Sequence, residues 1–534
     1  FKNINLININ IKFNTVLLFL FYFLSLYLFY ILSFRHDSLF IPGSEYHWSY
    51  YTGVIEGIKN SGWLLWDTPS QYGFLNIILA SMLESKSSWH SFYLFQSILL
   101  FITSTFVFFT LIYKFNLSSI SKVFVLLVIL LSLYFADPSF IGPYPFPSSS
   151  VVRFIGVYAF ILCSLYLPIF STLQALSFSL IWLISFFWSA ESALYVTSIY
   201  FFILAAYLLK MKSLSNFRSI FKYYLISPII LLSLSLLSIS VFYKLNIGSY
   251  PDFILFFEHA IGYAGGHGYV PFNVLGPGNI MLFLYVCILC NFIKYKQNDA
   301  RGNNEYYIII TIILASVWTL GSYYIGRPVP QNITAILPIL SFITLILIFI
   351  NKFLFYKNNY IIRIFSISFF LILFLPILNN NFYSTIANIK HEKINIQNNI
   401  LKSSVKINNL FTNIDITKHK QLVFYGDSAT QPIFTGPLGK FNESNWLPVP
   451  LQLLENPITE SRKETLIKRH LCRNKPNNTL LLADVSQSIK PRLAKFLNNL
   501  SKYYNVKLIG NINSFQLYRF SEFSDINCKS KIDQ

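Results

Sequence analysis

From Thr15 to Ile377 the chain repeats one pattern, an apolar run of bilayer-spanning length followed by a short polar segment. A helix needs about 20 apolar residues to cross roughly 30 Å of hydrocarbon. On that measure spans are predicted near 15–34, 92–113, 121–136, 151–169, 174–188, 190–209, 223–243, 279–293, 306–324, 333–350 and 360–377, about eleven in all. The pair meeting at Trp188 is the tightest, and could equally form one broken helix. The first run is too long and aromatic for a signal-peptide core, and no small-residue cleavage site follows it, so it reads as a retained anchor.

Two stretches depart from this pattern. Residues 35–91 form a long loop with helical patterns of its own. Ser44 suits an N-cap, Glu45 falls in the first turn, and Trp48, Tyr51, Ile55 and Ile58 make one apolar stripe ended by Gly62. This predicts a helix lying on the membrane with Glu45, Ser49, Thr52 and Glu56 on its wetter side, and Phe74 to Leu83 predicts a second apolar helix. After Ile377 the composition turns from apolar to that of an ordinary globular domain. Residues 378–417 read as a linker. Residues 418–534 read as a small α/β domain, with strands at 421–425, 479–483, 506–509 and 515–520 and an amphipathic helix at 489–504.

Composition agrees: 54% of residues are hydrophobic and 12% charged. The net charge of +19 is largely a matter of topology. With the N-terminus cytoplasmic, Lys114, Lys122, Lys210, Lys212, Arg218, Lys222, Lys294, Lys296 and Arg301 all fall in inner loops, as the positive-inside rule requires. No basic run is interleaved with aromatics, so nucleic acid is not an expected partner. An odd number of spans places the C-terminal domain on the extracytoplasmic face, where Cys472 and Cys528 could pair as a disulfide. Cys163, Cys287 and Cys290 fall inside spans and read as packing.

The chemistry-bearing residues gather on the expected outer side. Glu45-Tyr46-His47 opens the first loop helix, and Asp67 and Tyr72 follow in Trp66-Asp67-Thr68-Pro69-Ser70-Gln71-Tyr72-Gly73. An acidic motif just after span one, surface helices in the first outer loop and a soluble C-terminal domain together resemble the GT-C superfamily of integral-membrane glycosyltransferases. That resemblance implies sugar transfer from a polyprenyl-phosphate donor to a lipid or glycan acceptor hydroxyl, with inversion, at the extracytoplasmic face of a bacterial inner or plasma membrane. The superfamily motif pairs two carboxylates, whereas the second position here is His47. A divalent cation is therefore a candidate cofactor without an assigned ligand set.

Glu45 is the expected base, since an alcohol attacks well at neutral pH only when a positioned group takes its proton, and Asp67 is the second catalytic candidate. The leaving phosphate calls for cationic donors. Arg327, in Tyr323-Tyr324-Ile325-Gly326-Arg327-Pro328, is the first candidate and Arg153, after Pro147-Ser148-Ser149-Ser150, the second. Glu191 lies in the most apolar surroundings of any acid in the chain. An intramembrane carboxylate is expensive, so it is expected either to bind sugar or metal or to pair with an arginine such as Arg153. His47, Tyr72, Glu258, His259 and His267 complete the substrate-binding candidates, the last three around the glycine-rich stretch 262–268. Glu45, Glu191 and Arg327 are expected to converge on one cavity.

Two further readings are weighed. Gly426-Asp427-Ser428 after a strand resembles the opening of a lipase-like hydrolase, but no late Asp-x-x-His follows. A glycan polymerase, flippase or other transporter would share the aromatic spans. Transporters, however, bury their charges near the bilayer midplane, whereas these acids sit at span ends and in the first loop.

Overall fold

A computed structural model describes residues 2–35, 44–59, 62–70, 72–83, 88–135, 142–144, 146–168, 171–210, 221–257, 279, 281–282, 285–286, 288–289, 304–326, 330–354, 421–425, 442–443, 462, 465–466, 469, 479–485, 490–501, 504–512 and 515–522. Its helices in chain order are α1 (Lys2–Ser33), α2 (Ser44–Lys59), α3 (Leu75–Met82), α4 (Ser88–Lys114), α5 (Ser119–Ile129), α6 (Val151–Tyr166), α7 (Thr172–Trp188), α8 (Ala190–Lys210), α9 (Ser227–Ile247), α10 (Asn304–Gly326) and α11 (Pro330–Leu354). Five stretches among the described residues are long and apolar enough to cross a membrane: Thr15–Ser33, Ser88–Lys114, Ala190–Leu208, Phe221–Ile247 and Tyr307–Ile325. Ser119–Tyr134, Val151–Tyr166, Thr172–Trp188 and Ala335–Ile350 are shorter apolar helices. This is a membrane-associated helical protein. Of the predicted spans, that at 360–377 lies outside the described residues and that at 279–293 mostly so.

Inside the bundle, many hydroxyls bond to a carbonyl one turn back in their own helix, as Ser25, Thr311 and Ser316 do, and others tie helices together, because hydrocarbon offers them no other partner. The tight pair at Trp188 is a hairpin: Ser189 is extended and stops α7, and α8 starts at once. The two helices then run antiparallel, with Trp182 Nε1–H donating to Thr197 Oγ1 (2.9 Å) and Tyr207 O–H to Gln174 Oε1 (2.7 Å). A π-turn at Leu130–Tyr134 continues α5. It brings the Tyr134 hydroxyl to those of Ser33 and Ser104, both at 2.8 Å, and so ties α1, α4 and α5 together.

The first loop departs from expectation in one respect. Helix α2 forms as predicted, but it packs against α3 and α4, and Tyr50, Tyr51, Thr52 and Val54 are buried as well as Trp48 and Ile55. Thr52, expected on a wet face, is buried because its hydroxyl donates to the Trp48 carbonyl one turn back (3.2 Å) and needs no outside partner. Trp48 stacks on Trp89 (ring centroids 5.5 Å) and Tyr51 on Phe92 (4.4 Å), pinning α2 to the start of α4. Past the end of α2, Gly62 N–H donates to the Gly57 carbonyl (2.8 Å). The loop core, with Trp66, Phe74, Val152, Trp188 and Tyr243, is a second hydrophobic cluster beside that of the bundle.

The C-terminal region is a mixed five-stranded sheet: β1 (Gln421–Tyr425), β2 (Asn442–Glu443), β3 (Thr479–Asp484), β4 (Tyr504–Ile512) and β5 (Phe515–Glu522), in the order β2-β1-β3-β5-β4. β1 runs parallel to β2 and β3, and β5 antiparallel to β3 and β4. Leu480, Leu481, Leu482 and Ala483 of central β3 are all buried, as a strand covered on both faces requires. Helix α12 (Lys490–Ser501) packs on β4 and buries Leu493 and Phe496, three residues apart on one face. β2, two polar residues long, was not expected.

Candidate functional site

Two charged side chains meet where the first loop covers the bundle. Arg153 stands in the first turn of α6, after an N-cap in which Ser150 Oγ accepts from Val152 N–H (3.1 Å). Glu191 stands in the first turn of α8. A carboxylate suits a helix N-terminus and a guanidinium does not, so the pairing of the two relieves the unfavourable placement of Arg153. Arg153 Nη2–H donates to Glu191 Oε1 at 3.1 Å, and the side chains are 11% and 24% exposed. Glu191 Oε2 is buried and accepts no hydrogen bond.

Aromatic rings surround the guanidinium. Arg153 Cζ lies 5.7 Å from the centre of the Tyr72 ring and 5.1 Å from that of Tyr323, both within cation–π range. Tyr72 stacks on Tyr51 (5.3 Å), so α2 contributes as well. Tyr323 packs against Tyr195 and Phe154, and its hydroxyl donates to Asn332 Oδ1 (3.1 Å). Burial pushes the Tyr51 phenol well above its ordinary value, against the opposing pull of nearby Arg153. Tyr51 therefore stays a protonated hydroxyl, able to donate.

The backbone that carries Tyr72 is fixed next to it. Gly73 adopts φ +151°, and a Cβ there would collide with the Asn76 side chain and the Trp188 carbonyl, so only glycine permits this approach. Phe74 N–H then donates to the Trp188 carbonyl (3.1 Å). The Trp188 indole N–H donates to the Val152 carbonyl, and Ser192 O–H to the Arg153 carbonyl (2.7 Å). The hairpin turn thus holds the first loop with one group and α6 with two others.

Of the residues expected from sequence, the structure brings together Tyr72, Arg153 and Glu191. Asp67 is set in the turn 63–68, where its Oδ1 accepts from Trp63 N–H (2.7 Å) and Thr68 O–H (3.0 Å), a turn-building task. Glu45 and His47 lie in the first turn of α2, their side chains outside the described residues. Glu258, His259, His267 and Arg327 lie outside them altogether, as do Cys472 and Cys528. The expected meeting of Glu45, Glu191 and Arg327 thus involves side chains outside the described residues. Glu56 accepts from Ser88 O–H, and Lys59 donates to Ser91 Oγ (2.7 Å), so these two charges anchor α2 to α4.

Tyr51, Tyr195, Tyr323 and Asn332 are the site residues that sequence reading missed. Tyr51 belongs to the apolar stripe that the sequence lays against the membrane, and no spacing marks these three tyrosines among the chain's 35. Among the described residues no three His, Cys, Asp or Glu side chains gather to hold a metal ion. The guanidinium itself occupies the position beside Glu191 that a cation would take. Comparison of the chain with protein families finds no match, and comparison with curated proteins finds none either.

Proposed function

We propose that the protein is a GT-C-like glycosyltransferase of about eleven spans, with the first loop and the C-terminal domain on the extracytoplasmic side. It would move a sugar from a polyprenyl-phosphate carrier to an acceptor hydroxyl. The observation that carries this reading is the meeting of Tyr72 of the first loop with the Arg153–Glu191 pair at the start of two membrane helices. Aromatic rings suit the C–H faces of a sugar, and the buried Glu191 oxygen without a hydrogen bond is an acceptor that a sugar hydroxyl would satisfy once the first loop opens to admit it. Arg153 donates to Glu191 and retains further N–H donors suited to a phosphate oxygen.

In the proposed reaction a carboxylate, Glu45 in this reading, takes the proton of the acceptor hydroxyl as its oxygen attacks the anomeric carbon. The bond from that carbon to the carrier phosphate breaks, and the phosphate leaves with the electron pair beside cationic donors. The acceptor attacks from the opposite face, so the configuration inverts.

The test is transfer by the purified protein from radiolabelled polyprenyl-phosphate sugars to membrane acceptors, with Glu45→Gln and the Arg153→Met/Glu191→Leu double variant alongside. Loss of transfer in folded variants is the expected result. Transfer that survives both variants removes the site, and no transfer from any donor moves the reading to a polymerase, flippase or other transporter.

A further inference from the structure

A second charged cluster lies away from this site, where the C-terminal region touches the first loop. Asp252, just after α9, receives two arginines. Arg462 Nη2 lies 2.7 Å from its Oδ1 and Arg469 Nη1 3.3 Å from its Oδ2. Arg469 also donates from Nη1 to the Trp66 carbonyl (3.1 Å), and its Cζ stands 4.0 Å from the centre of the Trp66 ring. Arg462 and Arg469 are seven residues apart, each with helical backbone, and both reach the Asp252 carboxylate. Leu466, between them, is buried against Leu255. These arginines precede β3 of the C-terminal sheet, more than two hundred residues beyond Asp252.

What they hold is a turn under strain. Leu65 adopts φ +58°, a left-handed conformation that is unfavourable for a non-glycine residue. Such a residue persists only where its surroundings over-determine it. Inside the turn, Trp66, Asp67 and Thr68 N–H all point at the Trp63 carbonyl. Outside it, Asp252 N–H donates to the Leu65 carbonyl (2.7 Å) and Tyr243 O–H to that of Leu64. Asp252 thus binds the turn through its backbone and the arginines through its side chain. Four residues beyond the turn stands Tyr72, over Arg153.

We propose that Arg462, Arg469 and Asp252 form a clasp by which the C-terminal region sets the 63–68 turn, and with it Tyr72, so that these three are positioning residues for the site. The second half of this proposal rests on the reading of Arg153 and Glu191 as a substrate site. The first half stands without it. A C-terminal domain that merely hung from the bundle would need none of these bonds.

The test is hydrogen exchange of the full-length protein in membrane mimetic, comparing wild type with Arg462→Gln/Arg469→Gln and, from the other side of the contact, Asp252→Asn. Loss of the clasp is expected to speed amide exchange in 63–74 roughly tenfold while 151–166 is unchanged, because local opening reports local contacts. Arg469→Lys, which keeps the charge but loses the planar contact with Trp66, should fall between. Unchanged exchange at 63–74 in the double arginine variant with a protected 479–484 strand overturns the clasp. Should that variant lose the sheet, Asp252→Asn decides, since it leaves the C-terminal region intact. In the transfer assay the clasp variants should raise KM with kcat largely kept. Normal KM with altered exchange leaves a clasp that does not position the site, and a wild type that transfers nothing overturns the site reading while exchange still judges the clasp.

Discussion

Arg153→Met and Glu191→Leu, singly and together, separate architecture from chemistry at the site. Each single change leaves one charge without its partner among apolar and aromatic side chains. Breaking a fully buried pair costs about 3–5 kcal/mol, and an exposed pair is worth only about 0.2–1 kcal/mol. With side chains 11% and 24% exposed, this pair lies nearer the buried limit, so Glu191→Leu is expected to cost about 2–4 kcal/mol. Arg153→Met should cost somewhat more, because the guanidinium also loses the Tyr72 and Tyr323 rings, each contact worth about 0.5–2 kcal/mol. The double variant leaves no unpaired charge. It should therefore cost less than the sum of the singles by at least about 2 kcal/mol, a coupling typical of neighbours sharing one interaction. The assay is equilibrium unfolding in mixed micelles followed by tryptophan fluorescence, for which Trp188, three residues before Glu191, is a local reporter. Coupling below about 0.5 kcal/mol, with each single variant costing less than about 1 kcal/mol, refutes the buried pair. A stable double variant that still transfers sugar refutes the site and leaves the pair a structural one.

Three other expectations follow from packing and burial. Gly73→Ala forces a Cβ into the Trp188 carbonyl at φ +151° and should cost about 2–3 kcal/mol, whereas Gly321→Ala, with open space around it inside α10, should be neutral or gain up to about 1 kcal/mol; thermal unfolding of both proteins checks the contrast. Tyr134→Phe leaves the Ser33 and Ser104 hydroxyls without their shared partner and should cost about 1–3 kcal/mol, with fastest exchange at the α1–α4 contact; no loss would remove that junction from the bundle's framework. Burial raises the Tyr504 phenol at the start of β4, so its contribution is fully present below the unfolded value near pH 10 and is lost as pH rises through the folded value; Tyr504→Phe should move the alkaline unfolding of the sheet to higher pH, and an unchanged midpoint would show another group in control.

How much of this could be read from the chain depends on the range over which each feature is decided. Apolar runs with polar breaks mark helices locally, and all nine predicted spans that fall mainly on described residues are helical there. Buried β3 was legible for the same reason, as a continuous apolar stretch. β2 was not, because Asn442 and Glu443 have no strand preference and pair only where β1 presents an edge. In α2 the stripe of Trp48, Tyr51 and Ile55 identified the helix but not its neighbours. A period records which face is apolar, and says nothing of whether bilayer or protein covers it.

The site shows where the limit lies. The cost of a carboxylate in apolar surroundings made Glu191 conspicuous, and Arg153 was among its expected partners, because both follow from the composition of single helices. That the pair would lie beneath Tyr72 and beside Tyr323 depends on the chain returning from three distant segments to one place. The groups that enforce the return are a glycine conformation, a tryptophan carbonyl and a serine hydroxyl, none of which carries a motif. A charge inside a membrane protein can thus be recognised in sequence by what it costs. Its partners are specified by the backbone contacts that bring them to it, and Gly73 at Trp188 is the contact whose loss would most directly separate Tyr72 from Arg153.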